Sequence, residues 1–116
     1  MSAKNKSILL KGNEAITAGK NEVFLNLCTE DTRWEFVGDR VLNGKEEVST
    51  YMKENYLEPP KFNVTNLIAE GDFVTAIGEI SMKNKDGELI NYHYCDVWKF
   101  RGDQIAELRG FVIQKR

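Results

Sequence analysis

From Lys61 to the end of the sequence, apolar and polar residues alternate in four long runs separated by three short turns. The turns are Glu70-Gly71-Asp72, Lys85-Asp86-Gly87 and Arg101-Gly102-Asp103-Gln104, and they delimit predicted strands at about 62–70, 73–84, 88–100 and 105–114. Short connections of this kind that contain glycine are typical of antiparallel hairpins. Four antiparallel strands in a row need a cover for one face. The first 60 residues therefore have to supply that cover.

The first 60 residues carry mainly helical patterns. The first predicted helix stops at Gly19, since glycine is favoured just after a helix C-terminus. The apolar residues on one side of this helix are Ile8, Leu9, Gly12, Ala15 and Ile16, and those of a shorter second helix are Val23, Phe24 and Leu27.

An extended segment, Thr32–Gly38, precedes the third predicted helix. Asn43 and Glu46 have the spacing of a capping box at its start, and Pro59-Pro60 is predicted to end it. Its apolar residues at helical spacing are Val48, Tyr51, Met52 and Tyr56. We therefore predict an α+β fold in which a strongly curved, mostly antiparallel sheet wraps over three N-terminal helices.

Length and charge limit the domain organisation and the partners. With 116 residues, 41% of them hydrophobic, and no linker, the chain is predicted to form a single domain, 1–116. The net charge is −2, and no run of like charges is longer than Glu46-Glu47, which argues against binding to nucleic acid or a membrane surface. Ile8-Leu9-Leu10 is too short for a signal peptide.

The cysteine and histidine content argues against disulfides and metal sites. Cys28 and Cys95 are far apart in the sequence and form no CxxC motif, which favours free thiols in the reducing cytoplasm. The chain has a single histidine, His93, so there is little support for a metal centre.

The predicted strand 88–100 places one carboxyl group among aromatic side chains. Alternation puts Tyr92, Tyr94, Asp96, Trp98 and Phe100 on one face and Asn91, His93, Cys95, Val97 and Lys99 on the other. The aromatic face is expected to turn towards the helices, so burial would raise the pKa of Asp96 and make it a proton carrier near neutral pH. The alternative is a structural role, with Asp96 held by tyrosine hydroxyls or backbone amides.

Other elements supply predicted walls for a mostly apolar cavity around Asp96. Gly110 leaves a gap between bulkier neighbours on its strand. The predicted lining and substrate-binding residues are Trp34, Phe36, Tyr51, Tyr94, Trp98, Leu108, Gly110 and Val112. Such a composition is usual for a small-molecule site. The alternative is that the same residues simply fill the core.

The order of these elements and four sequence segments resemble the nuclear transport factor two superfamily. The segments are Ala18-Gly19, Glu30-Asp31-Thr32-Arg33-Trp34-Glu35, Asn43-Gly44-Lys45-Glu46-Glu47 and Cys95-Asp96-Val97-Trp98-Lys99-Phe100-Arg101-Gly102-Asp103-Gln104-Ile105. The resemblance extends from Ile8 to Ile113 and is strongest to the SnoaL-like branch, with ketosteroid isomerases as more distant relatives. It implies a conical α+β barrel with a cavity between sheet and helices.

The resemblance also implies roles for individual residues. Asp96 falls where ketosteroid isomerases keep the protonated aspartic acid of their oxyanion hole, but their base falls at Phe36 and their oxyanion tyrosine at Gly12. Steroid isomerisation by that mechanism is therefore not expected. SnoaL-like polyketide cyclases use an inward aspartate as acid and base without metal or cofactor, a role that Asp96 would fill. His93 is the other candidate, since scytalone-dehydratase-like relatives use histidine with aspartate, although alternation turns it away from Asp96.

Two classes of function follow. The first is a cofactor-independent isomerase, cyclase or dehydratase that acts on a small apolar carbonyl compound through Asp96. The second is a non-catalytic ligand-binding or interaction module, and a subunit of a larger complex is a weaker third possibility. Phe111, Ile113, Val97 and Cys95 form an apolar strip on the outer sheet face, and many family members dimerise through this side. We therefore expect a homodimer.

Overall fold

The computed structural model describes residues 2–116, in which three helices accompany one six-stranded sheet. The helices are α1 (Ser2–Thr17), α2 (Asn21–Leu25) and α3 (Lys45–Asn55). The strands are β1 (Cys28–Phe36), β2 (Arg40–Asn43), β3 (Lys61–Glu70), β4 (Phe73–Lys83), β5 (Leu89–Arg101) and β6 (Gln104–Gln114). The strand order is β2-β1-β6-β5-β4-β3, and only β1 and β6 run parallel to each other. The sheet is not closed, and the predicted α+β fold with a mostly antiparallel sheet is confirmed.

The four C-terminal strands begin and end within one residue of their predicted bounds. The bounds of these strands were predictable because each turn contains a position with a positive φ, which glycine adopts most readily since it has no Cβ. Gly71, Gly87 and Gly102 have φ values of 57°, 79° and 63°. The glycines therefore fix where each hairpin reverses.

The two N-terminal strands differ from the prediction. β1 begins at Cys28, four residues before the predicted Thr32, and its register against β6 shifts between Cys28 and Arg33. This irregularity breaks the alternation that would have revealed the start of the strand. β2 was not predicted, because Leu42 is its one buried residue and four residues are too few to establish a period.

The start of the third helix also differs from the prediction. The N-cap is Gly44, with a φ of 89° and no side-chain cap, and Asn43 is the last residue of β2. The backbone N–H of Asn43 donates to Oε1 of Glu47 at 2.8 Å. The predicted capping box of Asn43 and Glu46 is therefore wrong, because the strand fixes Asn43 in another role. The helix ends at Asn55, ahead of Pro59-Pro60.

The first helix follows the prediction, and the second follows it in part. The backbone N–H of Lys20 donates to the carbonyl of Ala15 at 2.8 Å, and Gly19 has a φ of 76°, so α1 ends where expected. In α2 the predicted apolar stripe is wrong at Val23, which is 48% exposed. This five-residue helix buries the consecutive residues Phe24 and Leu25 instead. None of the helices within residues 2–116 is long and apolar enough to cross a membrane.

The helices cover one face of the sheet. α1 packs against β3 and β4, and α3 packs against β1 and β2. At the centre, the ring of Phe24 meets Trp34 edge to face at 5.7 Å, and it lies 6.0 Å from Trp98. These aromatic contacts hold α2 and the sheet together. Beyond Trp34 and Trp98, helices and sheet separate and leave a cavity.

A close approach of β3 to β4 shapes the sheet on one side of this cavity. The register between the two strands shifts between Val64 and Asn66, which marks a bulge opposite Gly78. A Cβ on Gly78 would lie 2.2 Å from the carbonyl oxygen of Asn63 and 3.0 Å from Cα of Val64. Glycine is therefore required for the backbones to come this close.

We expect Gly78→Ala to lower the free energy of unfolding by about 1–3 kcal/mol, because the added methyl group displaces the backbone of β3. Urea unfolding followed by circular dichroism measures the change. Ile77→Val, at the neighbouring position on the exposed face, is the control and should cost less than about 1 kcal/mol. Equal stability of the two variants would contradict the role given to Gly78.

Candidate functional site

The cavity has a volume of about 440 Å³ and lies between the sheet, α1 and α3. This volume falls within the roughly 300–1,000 Å³ range of small-molecule sites. The structure brings nine of the ten residues that were predicted for the site to its lining. They are Trp34, Phe36, Tyr51, Tyr94, Asp96, Trp98, Leu108, Gly110 and Val112. Val112 is 42% exposed and therefore lies where the cavity meets solvent.

Several lining residues were not predicted from the sequence. They include Ile16, Tyr56, Phe62, Ile80, Met82 and Tyr92. Tyr92 shares the inward face of β5 with Asp96, so alternation alone would have placed it there. Phe62 and Ile80 face each other in the register of β3 and β4. Because the sequence gives no distances between elements, the depth of the cavity on this side was not predictable.

Asp96 is positioned by its neighbours in the sheet. In register it lies between Ala76 of β4 and Gly110 of β6. Alanine and glycine are the two smallest residue types, so both neighbours leave space beside the carboxyl group. A Cβ on Gly110 would lie 3.0 Å from Oδ1 of Asp96 and 3.4 Å from the ring of Phe36. The carboxyl group therefore occupies the gap that Gly110 leaves.

The side chain of Asp96 is half-buried, and one of its two carboxyl oxygens is fully buried. Its Oδ1 atom is buried and has no hydrogen-bond partner within residues 2–116. Burial raises the pKa of Asp96 to about 7, and no neighbouring charge contributes to the shift. The alternative in which tyrosine hydroxyls or backbone amides hold this oxygen is not observed. Near neutral pH the group therefore exchanges between a neutral acid and a carboxylate.

Tyrosine hydroxyls are the other polar groups of the cavity. Burial, followed by the charge of Asp96, raises the pKa of Tyr94 to about 12. Burial likewise raises the pKa of Tyr51 and that of Tyr56, and Asp96 contributes to both shifts. These tyrosines therefore remain neutral at physiological pH and present hydroxyl groups near the carboxyl.

The positions that align with the other isomerase groups hold no polar side chain. Phe36 lines the cavity and packs on Tyr51 with ring centroids 5.1 Å apart. Gly12 packs against Phe24 instead, since a Cβ there would lie 2.7 Å from that ring. Two further carboxyl groups that line the cavity, Asp39 and Glu54, are exposed. Within residues 2–116, Asp96 is thus the one carboxyl group in the interior of the cavity.

His93 lies away from the cavity. It is exposed, and in register it sits between Glu79 of β4 and Ile113 of β6 on the outer face of the sheet. The strict alternation of β5 turns it away from Asp96. No three His, Cys, Asp or Glu side chains within residues 2–116 form a group suited to a metal ion.

We expect the burial of Asp96 to appear in the pH dependence of stability. A raised pKa means that the folded state holds the proton more tightly than the unfolded state, so Asp96 stabilises the fold below about pH 4. This contribution is lost as the pH rises towards 7. Three pH units at about 1.36 kcal/mol each give about 4 kcal/mol. Denaturant unfolding from pH 4 to pH 8 should show this loss in the wild type but not in Asp96→Asn.

Surface carboxyl groups act in the opposite direction. Hydrogen bonds from Arg101, Lys115 and Lys4 lower the pKa of Asp31, Glu79 and Asp103 respectively. Their contributions are present above the usual carboxyl pKa and are lost in acid. They occur in both proteins, so they cancel in the difference between the wild type and Asp96→Asn. Parallel stability curves for the two proteins would contradict the buried, desolvated state of Asp96.

Solved structures share this fold at low sequence identity. One of them is the epoxide hydrolase/cyclase-like enzyme SalBIII, which is described as having a role in pyran ring formation in the polyether salinomycin. Its TM-score is 0.88 at 20% sequence identity, and the match covers 95% of this chain and 91% of the SalBIII chain. A proposed SnoaL-like polyketide cyclase from Jannaschia has a TM-score of 0.81 at 17% sequence identity, and the match covers 97% of this chain and 87% of the cyclase chain. A proposed ketosteroid isomerase from Kribbella flavida has a TM-score of 0.80 at 16% sequence identity, and the match covers 99% of this chain and 82% of the isomerase chain.

At these low sequence identities, the three structures show that the fold is shared and do not show a shared activity. No curated protein matches the sequence. The model of the SnoaL-like domain matches residues 11–108, which is most of the chain. The resemblance in the sequence is thereby confirmed, and the chain belongs to the SnoaL-like domain family.

Proposed function

We propose that the protein is a cofactor-independent acid–base enzyme of the isomerase, cyclase or dehydratase type that acts on a small, mostly apolar carbonyl compound. Asp96 is the proposed catalytic residue. The observation that carries the proposal is that, within residues 2–116, one carboxyl group lies in the interior of an aromatic cavity of about 440 Å³ and its Oδ1 has no partner. Most buried polar groups are hydrogen-bonded, so an unpartnered one in a cavity is typical of a functional site.

The proposed chemistry requires one proton carrier. The carboxylate of Asp96 removes a proton from the carbon next to the carbonyl, and the electrons of that C–H bond move to the carbonyl oxygen as an enolate. The neutral acid then returns the proton to the same carbon, or to the γ-carbon when the enolate is conjugated with a C=C bond, and the C=O bond re-forms. A pKa of about 7 suits both steps, because acid and base forms are both populated near neutral pH.

Proteins with similar structures support this class of reaction. They include a proposed polyketide cyclase, a proposed ketosteroid isomerase and a cyclase-like enzyme described in pyran ring formation. All three share the fold at 20% identity or less, so they support the proposal without identifying a substrate. The free thiols of Cys28 and Cys95 are consistent with the proposed cytoplasmic location.

Asp96→Asn should slow catalysed hydrogen–deuterium exchange at the activated carbons of β-tetralone, a small ketone probe, by about 10²–10⁴-fold. The amide keeps the size of the carboxyl group but accepts no proton from carbon. Proton NMR in deuterated buffer follows the exchange, with rates corrected for the buffer reaction.

Asp86→Asn is the matched control, since Asp86 lies exposed in the turn between β4 and β5. It should exchange β-tetralone at the wild-type rate. Exchange by Asp96→Asn as fast as the wild type would rule out Asp96 as the proton carrier. The same result would favour the non-catalytic binding module.

The outer face of the sheet supports a second proposal, that two copies of the chain pair through it. Ile77, Cys95 and Phe111 lie side by side across β4, β5 and β6, and Ile113 follows at 67% exposure. Ion pairs flank this strip, between Lys99 and Glu107 and between Glu79 and Lys115. An apolar centre with a polar rim is the usual anatomy of an interface. In the alternative function, this surface and the cavity serve binding alone.

Phe111→Lys combined with Ile113→Lys should convert a dimer into a monomer, because two charges would be buried unpaired at its centre. Light scattering coupled to gel filtration measures the mass. Val23→Lys, which places the same charge on an exposed apolar position of α2, should leave the dimer intact. A wild-type protein that is already monomeric at micromolar concentration would rule out the proposed dimer.

A further inference from the structure

Two hydrogen-bond donors on residues that line the cavity have no partner within residues 2–116. They are Nε1 of Trp34 and the hydroxyl of Tyr94, both buried atoms without an acceptor within residues 2–116. Trp34 is 2% exposed and Tyr94 is 5% exposed, and both line the same cavity as Asp96. An indole N–H only donates, so it is satisfied by an acceptor alone.

Both donors are held in place by aromatic packing. The indole of Trp34 meets the rings of Phe24 and Trp98 edge to face, each at 5.7 Å, and Phe36 lies 6.2 Å away. The ring of Tyr94 packs edge to face on Phe62 at 6.2 Å. The unpartnered donors therefore lie on rings that are packed against other aromatic side chains.

We infer that Trp34 and Tyr94 donate hydrogen bonds to an oxygen acceptor of a flat, apolar ring compound bound in this cavity. The aromatic walls provide contacts for rings, and the two donors select an oxygen over a hydrocarbon or a cation. A buried acceptor site rejects an analogue that lacks the matching group, because its donors then stay unpaired. This inference deepens the proposed function by assigning the group that the substrate must carry.

The first test compares the binding of three probes of nearly the same shape: β-tetralone with a carbonyl oxygen, tetralin without it, and β-aminotetralin with an ammonium group. Titration calorimetry gives each dissociation constant. The wild type should prefer β-tetralone to tetralin by about tenfold or more, as expected for two neutral hydrogen bonds. Equal affinity for these two probes, including no measurable binding of either, would overturn the inference, and so would tighter binding of β-aminotetralin than of β-tetralone to Asp96→Asn, in which no carboxylate attracts the ammonium group.

The variant Tyr94→Phe isolates one donor. It removes only the hydroxyl and should reduce the preference for β-tetralone over tetralin by about threefold to tenfold. Its thermal stability should not fall, because the lost hydroxyl has no partner in the protein. Thr65→Val is the control, since it removes an exposed hydroxyl of β3 that does not line the cavity, and it should keep the wild-type preference. An unchanged preference in Tyr94→Phe would exclude Tyr94 as a ligand donor.

The second donor is observed directly in the wild type. The chain has two tryptophans, so the two indole N–H signals in a proton–nitrogen correlation spectrum are assigned from Trp98→Phe. The Trp34 signal should move downfield on addition of β-tetralone and not on addition of tetralin. No shift of this signal at a β-tetralone concentration that saturates the calorimetric site would exclude Trp34 as a donor.

These binding readouts separate the inference from the proposed reaction. Asp96→Asn slows proton exchange in the proposed mechanism but leaves both donors in place. Oxygen-selective binding without any exchange would remove the proposed catalysis and keep the donor site. Proton exchange without oxygen-selective binding would remove the donor site and keep the proposed catalysis.

Discussion

The state of the Asp96 carboxyl depends on desolvation that no hydrogen bond or charge within residues 2–116 offsets. A buried carboxyl group normally pairs with a cation or accepts hydrogen bonds, and each of these would lower its pKa. Asp96 instead lies between Ala76 and Gly110 in the sheet, and its Oδ1 is buried without a partner. The carboxyl therefore retains its proton to near neutral pH. The proposed chemistry and the pH dependence of stability both follow from this one environment.

This environment lies where a closely packed aromatic core borders an open cavity. Phe24, Trp34 and Trp98 pack closely on one side and form the core. On the other side, Tyr51 and Tyr56 of the α3 region stand opposite β5 across the cavity. Gly78 lets β3 approach β4 closely, and Gly110 leaves room for the carboxyl. The aromatic residues thus stabilise the core and also exclude water from the group that they surround.

Much of this arrangement was predictable from local patterns. Alternation along β5 and β6 correctly placed Asp96, Trp98 and Gly110 on the inward face, since the period of a strand is two residues and leaves no other choice. Where a bulge or a short element interrupts the period, as at Cys28 and in β2, the same method failed. The capping box at Asn43 failed because pairing in the sheet determined its role. Tertiary features such as the unpartnered indole of Trp34 depend on distances between elements, and no sequence pattern encodes them.

The pKa of Asp96 decides whether this residue acts as a desolvated, proton-exchanging acid in the aromatic cavity. The most direct measurement is an NMR titration of the isotope-labelled Asp96 carboxyl carbon in the wild-type protein, with the signal assigned from Asp96→Asn. A desolvated carboxyl group should titrate with a midpoint near pH 7, well above its usual pKa of 3.8. A midpoint near pH 4 would instead show a carboxyl group that is solvated or hydrogen-bonded, and would rule out the proposed proton-exchanging acid.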